Sequence, residues 1–210
     1  STGLSIVREG RFMDRFRGRV IFPIHNVSGR VVGFGARILT SDKSIAKYLN
    51  SPESDIYHKS RILYGLFQSR KAIGDADNCL LVEGYTDVIS LHQAGIHNVV
   101  ASSGTSLTTE QIRLIKRFTS NITILYDGDP AGIKASFRGI DMVLSEGMNV
   151  RILLFPDNDD PVSFTKKHHP DEVISFIKQN SRDSINFKTT LLLEDAKDDP
   201  IKRAGLIREI

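Results

Sequence analysis

The stretch LLVEGYTDVISL, residues 80–91, runs three apolar residues into a glutamate and places an aspartate four positions later. Leu80, Leu81 and Val82 have the unbroken apolar character of a strand covered on both faces, as the strands of parallel sheets are. After Glu83 the apolar side chains change to a helical spacing. A carboxylate at the lip of a buried strand is costly unless it caps the following helix or belongs to a site that needs negative charge. The rest of the chain bears on that choice.

The same unit recurs. Apolar runs at 79–82, 98–101, 122–126 and 150–155 alternate with helical periods at 86–94, 109–118 and 131–146. Thr108 with Gln111 fits a capping box and Leu107 with Ile112 its hydrophobic staple, while Pro130 fits the first helical position after an Asp129 cap. Such alternation predicts an α/β fold, a parallel sheet wrapped by helices through right-handed crossovers. Ligands of such sheets sit beyond the carboxyl ends of the strands.

Three of the four predicted strands end in acids: Glu83 with Asp87, Asp127 with Asp129, and Asp157, Asp159 and Asp160 around Asn158. Parallel strands deliver these to one sheet edge, where so many carboxylates repel one another unless a cation sits among them. All-oxygen donors there suit Mg2+ or Mn2+, which also favour phosphate oxygens. Each acid has a plainer role open to it. Asp129 can cap the helix at 130, and Asp87 can support the N-terminus of its own helix. The Asp127–Gly128 pair signals a hairpin, but PAGIKASFRGIDMVL behind it has helical period. A glutamate at a strand end caps poorly, so Glu83, Asp127 and Asp129 together are expected to form a cation site. Residues 102–105 (SSGT) end the remaining strand without an acid and are expected to make a turn rather than hold phosphate.

Upstream the chain changes character. RVIFPIH (19–25) and VVGFGARI (31–38) are predicted strands joined by a turn through Asn26, Ser28 and Gly29, with Pro23 putting the first at an edge or bulge. Residues 41–60 are predicted to be loop and 61–73 helix. Beyond Pro170 the spacing predicts helices to the end, with breaks near Asn180 and Asp198. These changes divide the chain into a basic mixed α/β part (1–74), the strand–helix repeat (75–165) and a helical tail (166–210). Residues 1–71 hold 13 Lys and Arg against five acids, a net +8, and residues 72–210 a net −5. A basic segment joined to an acidic one points to a polyanion partner and a cation site on one molecule. No apolar run approaches the ~20 residues of a membrane span. The single cysteine, Cys79, excludes an internal disulfide and a multi-cysteine zinc site, and is expected to be a small buried hydrophobe in a reducing cytoplasm.

EGYTD (83–87), YDGDPAG (126–132) and FPDNDDP (155–161) resemble the three acidic motifs of the Toprim fold, shared by bacterial DnaG-type primases, type IA and type II topoisomerases and some nucleases. RFRGRVIFPI (15–24), GRVVGFGARIL (29–39), KYLNSPES (47–54) and HKSRILYGL (58–66) are similar to the N-terminal part of the DnaG-type RNA polymerase domain. The resemblance covers residues 3–180 and implies a Toprim-type parallel sheet flanked by helices. It implies RNA primer synthesis on single-stranded DNA from ribonucleoside triphosphates, with Mg2+ or Mn2+. By resemblance Glu83, Asp127 and Asp129 are the catalytic metal ligands, and Asp87, Asp157, Asp159 and Asp160 further or outer ligands. Arg15, Arg17, Arg37, Lys47, Tyr48, Asn50 and Lys59 fall near nucleotide and template, with Arg19 alternating beside the first two. Replicative helicase and single-strand-binding protein are the implied partners of a full-length primase at the replication fork. This chain is expected to be its catalytic core, cut from the zinc-binding and helicase-binding modules. Val162 stands where the family commonly carries an acid after Asp-Pro.

Two other functions share part of this pattern. A Toprim DNA-cleaving nuclease or topoisomerase would use the same acids, yet nothing marks Tyr48, Tyr57, Tyr64, Tyr85 or Tyr126 as a topoisomerase nucleophile. A receiver-like Mg2+-binding signalling domain expects an aspartate after a middle strand and a lysine after a late one. Here the second strand of the repeat ends in serines and the fourth in acids.

Overall fold

The computed structural model describes residues 3–40, 44–104, 106–127, 130–157 and 159–195. The chain begins with β1 (Ser5–Arg8), β2 (Arg11–Asp14), β3 (Arg19–His25), β4 (Val31–Ile38) and β5 (Tyr48–Asn50). After α1 (Leu66–Ala76) the repeat follows as β6 (Cys79–Val82), α2 (Tyr85–Gln93), β7 (Val99–Ala101), α3 (Thr109–Lys116), β8 (Asn121–Tyr126), α4 (Pro130–Ser145) and β9 (Asn149–Leu154). The last elements are α5 (Pro161–Lys167), α6 (Pro170–Asn180), β10 (Arg182–Asp183) and α7 (Ser184–Asp195).

Strands β6 to β9 are parallel and lie in the order β10-β9-β8-β6-β7, with β10 antiparallel at the edge. The chain leaves β6 for β7 on one side and returns to β8 on the other. The order therefore reverses at β6, and the crevice of such a reversal lies beyond the carboxyl ends of β6 and β8. Glu83 and Asp127 emerge there.

Alternate side chains of these strands feed two cores. On one face Leu81, Ile122, Ile124 and Ile152 pack with Ile112 and Ile115 of α3, Ile140 of α4 and Phe187 of α7. On the other, Leu80, Val82, Leu125 and Leu153 pack with Val88 and Leu91 of α2, Phe164 of α5 and Val173 of α6. Burying each such side chain is worth roughly 1.5–3 kcal/mol. Cover on both faces is why these strands are continuous apolar runs. Cys79 is buried in the first core, as expected.

The strands β3, β4 and β5 form a separate antiparallel sheet with β4 central. Pro23 sits on its edge strand, and the register shifts beside it between Ile24 and His25. The Asn26 side-chain oxygen accepts from the amides of Ser28 and Arg30 and fixes the β3–β4 turn. Tyr64 joins this part to the edge of the parallel sheet through two backbone hydrogen bonds with Ala101, of 2.9 and 3.0 Å. Among the described residues no helix is long and apolar enough to cross a membrane.

The structure corrects several expectations. β5 lies inside the stretch expected to be loop, and α1 starts at Leu66 rather than 61. Lys59–Arg61 makes a 3-10 turn instead, and Gly65 at φ 84° breaks the chain before α1. The β1–β2 hairpin, α5 and β10 have no counterpart in the sequence reading, because two to seven residues are too few to show a period. Residues 196–210, with the break expected near Asp198, lie outside the described residues.

The expected capping box is present and has a second role. Thr108 Oγ1 accepts the Gln111 N–H, and Gln111 Oε1 accepts the Thr108 N–H, each at 3.2 Å. The buried Gln111 amide also donates to the carbonyls of Ile62 (2.8 Å) and Lys59 (3.1 Å), docking the 3-10 turn onto α3. Gln111→Ala leaves these groups unpaired and is expected to cost about 1–3 kcal/mol. A lower urea midpoint at unchanged m-value would report it.

Candidate active site

Glu83 follows β6 and Asp127 follows β8, and both line a cleft of about 900 Å³. The opposite wall belongs to the small antiparallel sheet, with Arg37 from β4, Tyr48 and Asn50 from β5, and Lys47 just before it. Asp87, Asp160 and Arg138 also line the cleft, as do Ser102 and Ser103 after β7. Acids thus face cations across one opening.

Asp87 takes up the helix-supporting role open to it in the sequence, and it also lines the cleft. Its carboxylate accepts the Gly84 N–H at 2.8 Å, from the third position of α2 back to the cap. Burial raises its pKa, the Gly84 N–H lowers it, and the charges of Asp127, Asp160 and Glu83 raise it further, to about 7. The Tyr126 hydroxyl is likewise pushed up, first by burial and then by Glu83. Oxygen donors that repel one another across a cleft are a set that a hard divalent cation relieves. Among the described residues no three His, Cys, Asp or Glu side chains are grouped closely enough to hold an ion by themselves. Asp129, expected as the third principal ligand, lies outside the described residues.

The later acids divide. Asp160 caps α5 by accepting the Ser163 N–H at 2.6 Å and lines the cleft. Asp159, its neighbour, accepts the Lys167 ammonium at 2.7 and 2.9 Å and the Ser163 hydroxyl at 2.7 Å. Lys167 and then Ser163 hold its pKa below the usual range. Asp157 is exposed at φ 55°. Neither Asp157 nor Asp159 is among the cleft-lining residues.

On the basic wall, the Arg37 guanidinium and the Lys47 ammonium each lie 5.8 Å from the Tyr48 ring centroid, within cation–π reach. The Tyr48 hydroxyl meets that of Thr86 at 3.2 Å. Arg15 donates to the Asn50 carbonyl at 3.4 Å, and its buried Nε has no acceptor among the described residues. Arg19 donates to the Lys47 carbonyl at 3.4 Å. Arg17 is exposed, and both it and Lys59 lie outside the cleft lining. The Asn50 amide is committed within the protein: Oδ1 accepts the Tyr85 hydroxyl at 2.7 Å and Nδ2 donates to the Ser103 carbonyl at 3.3 Å. Tyr85, next to Gly84, stacks on Phe22 at 5.1 Å and meets Tyr64 edge-on at 4.8 Å. A Cβ on Gly35 would come within 2.3 Å of the Tyr85 ring. Glycine in β4 therefore lets Tyr85 pin the start of α2, with its acids, to the basic sheet.

A family model for the N-terminal domain of the DNA primase catalytic core matches residues 1–70, and a Toprim-like model matches residues 80–165. The DNA primase of Halalkalibacterium halodurans is 48% identical over 169 residues, 80% of this chain and 28% of the relative. That of Clostridium acetobutylicum is 43% identical over 194 residues, 92% of this chain and 32% of the relative. A solved DnaG primase catalytic domain bound to single-stranded DNA matches with a TM-score of 0.85 at 39% identity, over 98% of this chain and 67% of that one. The chain belongs to the DnaG-type primase catalytic cores.

The two family matches meet in the cleft of this DnaG-type core: residues 1–70 supply the basic wall and residues 80–165 the acidic wall. The chain spans 28% and 32% of the two curated primases. Tyr85 and Arg138 line the cleft without a sequence expectation behind them. The available signal for Tyr85 was an aromatic residue set between two acids in EGYTD. For Arg138 it was a cation about two turns into the helix that follows DGDP.

Asp87 also makes the metal-free core sensitive to pH. With a folded pKa near 7 against an ordinary 3.8, the unfolded chain loses this proton first as pH rises. Stability contributed by protonated Asp87 is therefore lost between about pH 4 and pH 7. Urea unfolding in chelator at both ends of that window should show the decline, and Asp87→Asn should flatten it.

Proposed function

We propose that this chain is the catalytic core of a primase, making RNA primers on single-stranded DNA from ribonucleoside triphosphates. The observation that carries the reading is one cleft with Glu83, Asp87, Asp127 and Asp160 on its acidic side and Arg37 and Lys47 opposite, in a chain of this family. Those walls suit a triphosphate, whose oxygens can face a cation on one side and guanidinium or ammonium donors on the other. A bound Mg2+ or Mn2+ would lower the pKa of the primer 3′-hydroxyl and neutralise charge on the α-phosphate and the leaving pyrophosphate. Glu83, Asp127 and Asp129 are the residues that would hold it, with Asp87 and Asp160 beside them. Asp159, already neutralised by Lys167, and the exposed Asp157 would act from further out.

Arg37 and Lys47 hold the triphosphate, Arg15, Arg17 and Lys59 the nucleic-acid backbone, and Tyr48 offers a ring face to base or sugar. Asn50 acts through Tyr85, keeping the two walls at a fixed separation. The 3′-hydroxyl, its proton passing to water, then attacks the α-phosphorus in line, and the new O–P bond forms as the α–β phosphoanhydride bond breaks and pyrophosphate leaves on the opposite side. Docking to a replicative helicase and to single-strand-binding protein at the fork is proposed only for longer chains of the family.

Purified chain with Mn2+ should extend an annealed RNA primer on a DNA template. No extension at concentrations where template binds would contradict the reading. Arg37→Ala should raise KM for nucleotides about tenfold with a smaller change in kcat, as expected for a partly exposed charge-assisted contact worth ~1.4 kcal/mol. Log affinity for template should fall linearly with log salt, by about 0.7 per phosphate contact.

A further inference from the structure

Asp159, Ser163 and Lys167 stand four residues apart through α5 and the turn before it, a spacing that lines side chains up along one helical face. The structure joins them in sequence. The Lys167 ammonium donates to both Asp159 carboxylate oxygens, at 2.7 and 2.9 Å, and Asp159 Oδ1 also accepts the Ser163 hydroxyl at 2.7 Å. Ser163 Oγ in turn accepts the Asp160 N–H at 3.0 Å, and the Ser163 N–H donates to Asp160 Oδ1 at 2.6 Å. The line of contacts ends on Asp160, which alone among these four residues lines the cleft.

A helix cap does not account for the whole of this line. Capping uses the Asp160 carboxylate and the Ser163 N–H, and the Asp160 N–H to Ser163 Oγ bond completes the box. Asp159 is surplus to that box, yet it is only 7% exposed. Burying a carboxylate is costly, and an ion pair with one ammonium returns little net stability. What the pair supplies here is a fixed geometry. Lys167 immobilises Asp159, Asp159 holds the Ser163 hydroxyl, and Ser163 grips Asp160 by its N–H and by one carboxylate oxygen. With Oδ1 tied down, the other oxygen of Asp160 has a set direction, and the Asp160 charge bears on the buried Asp87 carboxyl.

We propose that Ser163, held by Asp159 and Lys167, is a positioning residue that keeps Asp160 turned into the cleft as an oxygen donor for the divalent cation. Hydrogen-bonding partners behind a metal ligand orient it and commonly contribute about 10- to 100-fold to metal affinity. Asp159 and Asp160, adjacent in the chain, thus have separate tasks: one anchors the support and the other faces the ion. The inference rests on the cation site of the proposed function and adds the residues that set the direction of one donor.

Mn2+ binding to the intact chain, followed by loss of the electron paramagnetic resonance signal of the free aqua ion, tests this without turnover. Ser163→Ala should weaken binding about tenfold, and Ser163→Thr, which keeps the hydroxyl, should stay within about threefold of the parent chain. Lys167→Met should weaken it about three- to tenfold, and Lys167→Arg should recover most of the loss. The Lys167 side chain is 57% exposed and takes no part in the α5 cap, so Lys167→Met stays informative even where Ser163→Ala impairs folding. A purely structural cap would lower the urea midpoint of Ser163→Ala and leave the Mn2+ affinity of folded protein unchanged, and that result would overturn the proposal. Parental affinity in Lys167→Met would overturn it as well, as would equal losses in Ser163→Ala and Ser163→Thr. Primer extension by the parent chain, run in parallel, separates the two claims. The expected order of Mn2+ affinities without extension contradicts only the primase reading. Extension with Mn2+ affinity indifferent to Ser163 and Lys167 contradicts only the positioning role.

Discussion

Asp127→Asn is expected to lower primer extension by about a thousandfold or more, while oligo(dT) binding stays within about twofold. Loss of a direct metal donor, the role proposed for Asp127, would forfeit several kcal/mol of charge stabilisation in the transition state, and each 1.36 kcal/mol is a factor of ten in rate. On the proposed function template affinity comes from Lys and Arg contacts elsewhere and should barely move. The same substitution has the opposite effect on stability. Asp127 is one of the charges that raise the Asp87 pKa, so removing it relieves repulsion in the metal-free protein at neutral pH. Activity should collapse while the urea midpoint in chelator holds or rises. A parallel fall in both would mean that Asp127 supports the fold instead of a cation.

Gly35→Ala is the second substitution with a large expected effect. Its new Cβ would lie 2.3 Å from the Tyr85 ring, far inside contact distance. The ring cannot withdraw, because Phe22 stacks on it at 5.1 Å and Tyr64 meets it at 4.8 Å. Overpacking of this kind costs roughly 1–3 kcal/mol. The strain falls on the first residue of α2, beside Glu83 and Gly84, so extension should drop at least about tenfold even where the protein stays folded. Tyr85→Phe, which loses only the hydroxyl bound to Asn50, should cost about 1 kcal/mol and act mainly on KM. If Gly35 and Tyr85 act as one lock, Gly35→Ala combined with Tyr85→Ala should be clearly less than additive in stability. Additive effects would show that the clash is absorbed elsewhere.

Much of this architecture was legible because it rests on periodicity. The strand pattern of RVIFPIH and VVGFGARI, the apolar run CLLV and the Thr108–Gln111 box correspond to elements observed at those places. Convergence of Glu83 and Asp127 followed from parallel strands alone. Asp159 and Asp160 were not separable by the same means. Asp160 caps α5 and lines the cleft, whereas Asp159 is engaged by Lys167 at the far end of that helix. Seven residues are too few for α5 to announce itself. Asn50 shows the other limit. In KYLN it has the look of a nucleotide donor, and its commitment to Tyr85 depends on a residue 35 positions away. The hairpin and β5 owe their existence to ladder hydrogen bonds and a turn, which leave little apolar pattern to read.

Anomalous diffraction from crystals of the chain equilibrated with Mn2+ tests the cation site most directly. A peak within about 2–2.5 Å of carboxylate oxygens of both Glu83 and Asp127, absent from Asp127→Asn crystals treated alike, is the expected result. Saturating Mn2+ that leaves Glu83 and Asp127 without a peak, in protein that extends primers, would contradict it.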